Sequence, residues 1–273
     1  MTFSVVGRSA DGRSLGVAVA SKFLAVGSAV PAARLDLGAI ATQSYANTLY
    51  KRDGLALLDA GRTAQETLEA LLAADSGRET RQAGVVDASG RSATFTGAEC
   101  LDWAGGVAGE GYAIQGNILA GPGVVEEMQR VWLADPGASL PERLLVTLAA
   151  GEAAGGDRRG RQSAALLVVS DDGGYSPGDD TAYDLRVDDH LEPVPELARL
   201  LELHHAYFDK PAEDEMLPLE GELAAEVRGL LAVLGHPDVE TWAGVENFEL
   251  RVRHDRIDPY ALERLRESAH AAG

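Results

Sequence analysis

The sequence predicts a mixed α+β domain in four layers, helix–sheet–sheet–helix, followed by a small helical module. Three observations carry this. Along residues 1–208 the β-rich and helical patterns come in groups rather than alternating, and grouped strands imply antiparallel sheets with helices on their outer faces. Turn signals join neighbouring β-rich runs as hairpins, Asp11-Gly12 first among them. After Phe208 the stretch DKPAEDEMLP, charged and with two prolines, reads as a linker over 209–216, ahead of a helical module over 217–273.

The elements follow in order. Residues 2–7 and 15–20 are β-rich and flank Asp11-Gly12; short apolar runs at 26–30 and 38–43 extend the first group of strands. A short helix is expected around residues 55–58. Thr63 and Glu66 have the capping-box form ahead of Leu68, Leu71 and Leu72. Residues 82–97 read as a second hairpin turning at 87–90, and 112–117 as another strand. Pro122 suits the first turn of a helix to about residue 133, with Val124, Val125, Met128, Val131 and Trp132 inward. Ser139 and Glu142 suggest a second capping box for a helix over 140–151. SAALLVVS (163–170) is a near-continuous apolar run, as expected for an interior strand, with 183–187 as its neighbour and 194–208 as a closing helix.

Charge excludes several functions. With 43 acidic against 24 basic residues the formal net charge is −19, which repels phosphate backbones and anionic lipid. A single cysteine, Cys100, leaves no internal disulfide and no multi-cysteine metal site. No leader of basic-then-apolar form is present, so the cytoplasm is the expected compartment. All six histidines lie after residue 189. Metal, dinucleotide and P-loop motifs are absent, so neither metal nor cofactor is expected.

One nucleophilic strategy needs no imidazole. A terminal Thr can use its own α-amine, of ordinary pKa about 7.7–8.0, as base for its hydroxyl. Thr2 becomes terminal if Met1 is removed, and a strand beginning at residue 2 would hold it rigidly. The alternative is an ordinary strand threonine whose amine stays blocked by Met1.

The segments MTFSVVGR, GVAVASKFLAVGSAVPAAR, GAIATQSYAN, YAIQGNILAGPGVV and AAGGDRRGRQSAALLVV with YDLRVDDH together resemble DUF1028, a bacterial family placed in the N-terminal-nucleophile (Ntn) hydrolase superfamily. The likeness covers residues 1–208. The later segments LEGELAAEVRGLLAVLG and GVENFELRV are similar to a module assigned to peptidoglycan binding. The resemblance implies the αββα sandwich and hydrolysis of a C–N (amide) bond in a small metabolite or peptide fragment, with Thr2 matching the nucleophile. It implies a basic residue beside Thr2, either Arg34 or Lys22. An arginine could hold an anion there but could not shuttle protons.

Asn117 is a candidate oxyanion donor, or else a turn residue beside Gly116. Gln43, Ser44 and Asn47 sit at a strand end as substrate contacts or loop hydrogen bonds. Asp157, Arg158, Arg159, Arg161, Gln162 and Ser163 could form a carboxylate pocket, or a solvated loop paired through Asp157. Asp188, Asp189 and His190 read as an exposed turn. The competing function is a non-catalytic binding protein on the same fold, whose tail contacts cell-wall fragments or another subunit. Self-association into a homo-oligomer is a further alternative.

Overall fold

The computed structural model describes residues 2–171 and 173–272. Met1, whose removal the amine base requires, lies outside the described residues. The architecture is mixed α+β with antiparallel sheets. It divides into one unit ending at Ala198 and another starting at Arg199.

In the first unit β1 (Thr2–Arg8) and β2 (Ser14–Ser21) form the expected hairpin, with Phe3 opposite Ala20. Gly12 in their turn has φ +78°, which glycine adopts without penalty. Then come α1 (Val26–Ala29), β3 (Pro31–Arg34), β4 (Gly38–Ser44), α2 (Leu49–Asp59), α3 (Ala64–Ala74), β5 (Arg81–Asp87), β6 (Ser92–Thr96), β7 (Gly105–Gly109) and β8 (Tyr112–Asn117). Helices α4 (Gly123–Ala134) and α5 (Leu140–Ala153) precede β9 (Ser163–Ser170), β10 (Thr181–Val187) and α6 (Pro193–Phe208), within which the boundary between units falls. One sheet runs β10-β9-β2-β1-β8-β7 and the other β3-β4-β5-β6.

Period-two alternation explains how these pieces pack. On β1, Phe3 and Gly7 face helices: a Cβ at Gly7 would meet Trp132 and Leu144, and one at Gly151 of α5 would meet Met128 and Phe3. Ile40 of β4 and Ala83 and Val85 of β5 pack with Leu58 of α2 and with Leu68 and Leu71 of α3. The opposite faces meet each other, where Val6, Val17 and Val19 share a core with Ala39, Ala41 and Val86. Following that shared face toward Thr2, the apolar residues give way to polar ones. Val6 is succeeded by Ser4 and Thr2, Ala41 by Gln43, Val86 by Gly84 and Gln82, and Ala113 by Gln115 and Asn117.

Several expectations are corrected. Residues 26–29 are helical, because the Ala25 N–H bonds to Asp188 O and the Val26 N–H to Ser163 Oγ, overriding the β preference of the apolar run. The helix placed at 55–58 runs from Leu49 to Asp59. The Thr63 capping box forms in full, whereas the Ser139 side chain makes no cap bond and Pro141 occupies the first turn of α5. β7 was missed: its GGVAG sequence has little side chain to signal a strand.

The second unit contains α7 (Gly221–Leu234), α8 (Val239–Glu246) and α9 (Pro259–Ala272). Its core is built around Trp242, Phe248, Ile257 and Leu265. It also holds a small sheet of β11 (Leu217–Pro218), β12 (Val252–Arg253) and β13 (Arg256–Ile257), so it is not purely helical. Among the described residues no helix is long and apolar enough to cross a membrane.

Candidate functional site

Strand β1 lies between β2 and β8, so Thr2 sits at the end of an interior strand with Asn117 directly opposite. The Thr2 Oγ1 lies 3.1 Å from Ser21 Oγ, and Thr2 lines a cavity of about 470 Å³. The walls are mostly apolar, with Phe23, Val26, Ala29, Val30 and Ala46; Gln43, Ser44, Tyr45, Thr48 and Arg81 supply the polar groups. Among the described residues no histidine lines it.

Beneath Thr2 the polar ends of the facing strands make a buried amide network. Gln43 Nε2 donates to Thr2 O (3.2 Å), to Gln82 Oε1 (2.8 Å) and to Gln115 O (3.3 Å). Ser4 Oγ donates to Gln43 Oε1 (2.7 Å) and accepts from Gln115 Nε2 (2.7 Å). Gln82 Nε2 donates to Gly116 O (2.7 Å) and Thr96 Oγ1 (2.9 Å). Gly84 makes the crossing possible, since a Cβ there would collide with Gln115 Oε1. Polar groups this deep are tolerated only when bonded, and here each amide is.

Local backbone strain gathers at the same end. Ala25, Ser44 and Ile118 have φ of 53°, 69° and 49°. Each costs energy that the surroundings must sustain, and such residues cluster at functional sites. Ser44 is itself on the cavity wall, Ala25 precedes Val26, and Ile118 follows Asn117.

The cation at the cavity is Arg81. Its Nε donates to Asp75 Oδ2 (2.9 Å) and its Nη1 to Tyr45 O (2.6 Å). Asp75 also accepts from Asn47 Nδ2 (2.9 Å), Tyr50 OH (3.1 Å) and Gly77 N–H (2.8 Å). The Arg81 bond first, and these others with it, hold the Asp75 carboxyl well below the usual carboxylate range. Burial and then the bond to Asp75 push the Tyr50 phenol up.

The expected site residues divide into those brought to Thr2 and those that are not. Gln43 lines the cavity. Asn117 is beside Thr2, but its Nδ2 is committed to Gln82 Oε1 (2.9 Å) and Thr2 O (3.5 Å). Asn47 is turned to Asp75. Arg34 is exposed and pairs with Gly38, at the far end of β4 from Gln43; five residues of strand separate them by roughly 17 Å. Arg34 is therefore not the cation at Thr2. Sequence reasoning missed Arg81, Ser21, Gln82 and Gln115. A signal existed for the glutamines, polar residues at inward positions of otherwise apolar strands.

A second cavity of about 300 Å³ is lined by Ser21, Glu152, Asp157 and Arg161, together with Gly155, Gly156 and Gly160. Asp157 accepts from the Lys22 N–H (2.8 Å) and pairs with Arg159 (3.2 Å). Lys22 Nζ donates to Arg161 O (3.2 Å) and lines neither cavity. Arg161 approaches Glu152 at 3.5 Å. Burial raises the Glu152 pKa, against the lowering pull of Arg161. Ser163 accepts from the Val26 N–H (3.1 Å) and donates to Phe23 O, holding the turn that walls the first cavity. Gln162 is tied to Asp189 (3.1 Å), and Arg158 is exposed. Cys100 is buried and donates to Arg81 O, a packing role. No group of His, Cys, Asp and Glu that could hold a metal occurs among the described residues.

Residues 2–197 match the model of a family of unknown function, DUF1028. Residues 207–265 match a model described as "Putative peptidoglycan binding domain". The crystal structure of protein SPO2555 from Silicibacter pomeroyi, assigned to the same DUF1028 model, is similar at 28% identity and a TM-score of 0.67, covering 82% of this chain and 92% of that one. No curated protein matches the chain.

Proposed function

The chain belongs to the DUF1028 family, and from that premise we propose that it is an Ntn-type amidohydrolase whose nucleophile is Thr2, on a four-layer αββα sandwich. The observation that supports this most directly is the Thr2 hydroxyl, at the end of an interior strand and in the wall of a cavity that holds no histidine. Removal of Met1 frees the α-amine. The neutral amine takes the proton of Oγ as Oγ bonds to the amide carbon, and that proton passes to the leaving nitrogen as the C–N bond breaks. Water then cleaves the acyl ester, so an amide and water become an acid and an amine. Gln43 and Asn117, both bonded to Thr2 O, hold the nucleophilic residue in place as positioning residues. Arg81, with its charge permanent, is the group suited to fixing a polar part of the substrate.

N-terminal mass analysis and turnover of an acyl-amide library test this reading together. The expected outcome is a chain beginning at Thr2 whose Thr2→Ala variant loses activity about a thousandfold or more. A retained Met1 in active protein, or full activity in Thr2→Ala, would overturn it.

The 207–265 match favours a second reading, a protein that binds cell-wall fragments through its C-terminal module. Muropeptide binding by the full chain, lost on deleting residues 212–273 and accompanied by no amide turnover, would support that reading over the first.

A further inference from the structure

Thr2 and Ser21, whose hydroxyls lie 3.1 Å apart, line two different cavities of opposite character. Thr2 lines the cavity of about 470 Å³, where Val26, Ala29, Val30 and Ala46 dominate and where Phe23 and Tyr45, each more than half exposed, frame the wall. Ser21 lines the smaller cavity, which carries Glu152, Asp157 and Arg161. Exposed aromatic rings beside an apolar cavity leave surface that a bound apolar group would cover.

Among the three arginines of the 158–161 segment only Arg161 lines the smaller cavity. Arg159 is tied to Asp157 through both Nε (3.4 Å) and Nη2 (3.2 Å). Arg161 approaches Glu152 through Nε at 3.5 Å, and its two Nη groups make no hydrogen bond among the described residues. A guanidinium fork left open in this way matches the two oxygens of a carboxylate.

Resting on the amidohydrolase reading, we propose that the substrate is an N-acyl amino acid: its apolar acyl group sits in the Thr2 cavity and its carboxylate meets Arg161 in the cavity beyond Ser21. The scissile amide then spans the hydroxyl pair. The leaving nitrogen faces the Ser21 side, whose hydroxyl lies 3.1 Å from Thr2 Oγ1.

Calorimetry on the full-length Thr2→Ala chain separates this proposal from the mechanism. The probes are N-phenylacetylglycine, its methyl ester and N-acetylglycine. N-phenylacetylglycine is expected to bind at least about tenfold more tightly than either of the others, since one comparison removes the apolar group and the other the charge. Ala46→Phe, which fills the larger cavity, should erase the preference for the phenylacetyl group. Arg161→Gln should erase the preference for the free carboxylate over the ester. Equal binding of the three probes, or preferences untouched by both substitutions, overturns the proposal even if the chain hydrolyses other amides. Conversely, the expected preferences in a chain that shows no turnover support the two-cavity site and refute the amidohydrolase reading alone.

Discussion

Replacing Gln82 by Leu tests whether the buried amide network holds the two sheets together at Thr2. The Gln82 side chain is fully buried and serves five groups: it accepts from Gln43 (2.8 Å) and Asn117 (2.9 Å), and donates to Thr96 (2.9 Å), Gly105 O (3.2 Å) and Gly116 O (2.7 Å). Leucine fills similar volume and bonds none of them. Gln43 keeps Thr2 O and Gln115 O as acceptors. Asn117 keeps only the 3.5 Å contact to Thr2 O, and Gly116 O loses its short donor. The two buried groups, Asn117 and Gly116 O, thus bear the loss at about 1–3 kcal/mol each, against a gain of roughly 1 kcal/mol from the added apolar side chain, leaving a net cost of about 1–5 kcal/mol. In a unit of this size that lowers Tm by roughly 2–20 °C. Urea unfolding followed by tryptophan fluorescence reads it as a lower midpoint at unchanged slope. Gln82→Glu should be worse than Leu at neutral pH, because it buries a charge and sets a carboxylate oxygen against the carbonyl oxygens of Gly105 and Gly116, and it should recover as acid protonates it. A Gln82→Leu protein within 0.5 kcal/mol of the parent would refute the claim that this network carries stability.

Two further outcomes concern titration. Asp75→Asn removes the charge facing Arg81, whose side chain is 21% exposed, and should cost about 1–3 kcal/mol at pH 7 in chemical denaturation. Because the folded Asp75 pKa is depressed, the parent has this stabilisation above the unfolded value near 3.9 and loses it as pH falls through the folded one; the variant should lack that acid slope. Glu152 has the opposite sign. Its folded pKa is raised, so the folded state binds more protons than the unfolded over that interval and parent stability declines as pH rises from about 4.3. Glu152→Gln should flatten this decline and be more stable than the parent at pH 8, measured as the midpoint difference between the two pH values.

What could be read locally was read from the sequence. The β1–β2 turn at Gly12, the Thr63 capping box and the 81–96 hairpin depend on residues a few positions apart, and each forms as its spacing requires. So does the period-two alternation of β1. Thr2 was legible as a candidate for the same reason, as a hydroxyl at the start of a clear strand pattern. Residues 26–29 escaped because distant groups, Asp188 O and Ser163 Oγ, decide their conformation. Arg34 and Arg81 show the limit most clearly. Arg34 is nearer Thr2 along the chain, yet the register of β3 on β4 carries it to the far end, while pairing of Ser44 with Arg81 brings the later arginine to the cavity. Composition and local spacing determined most of the elements, their antiparallel grouping and one nucleophile candidate. The tertiary structure alone decided which polar side chains share a face, because a one-residue change of register between distant strands turns every side chain to the other side of the sheet.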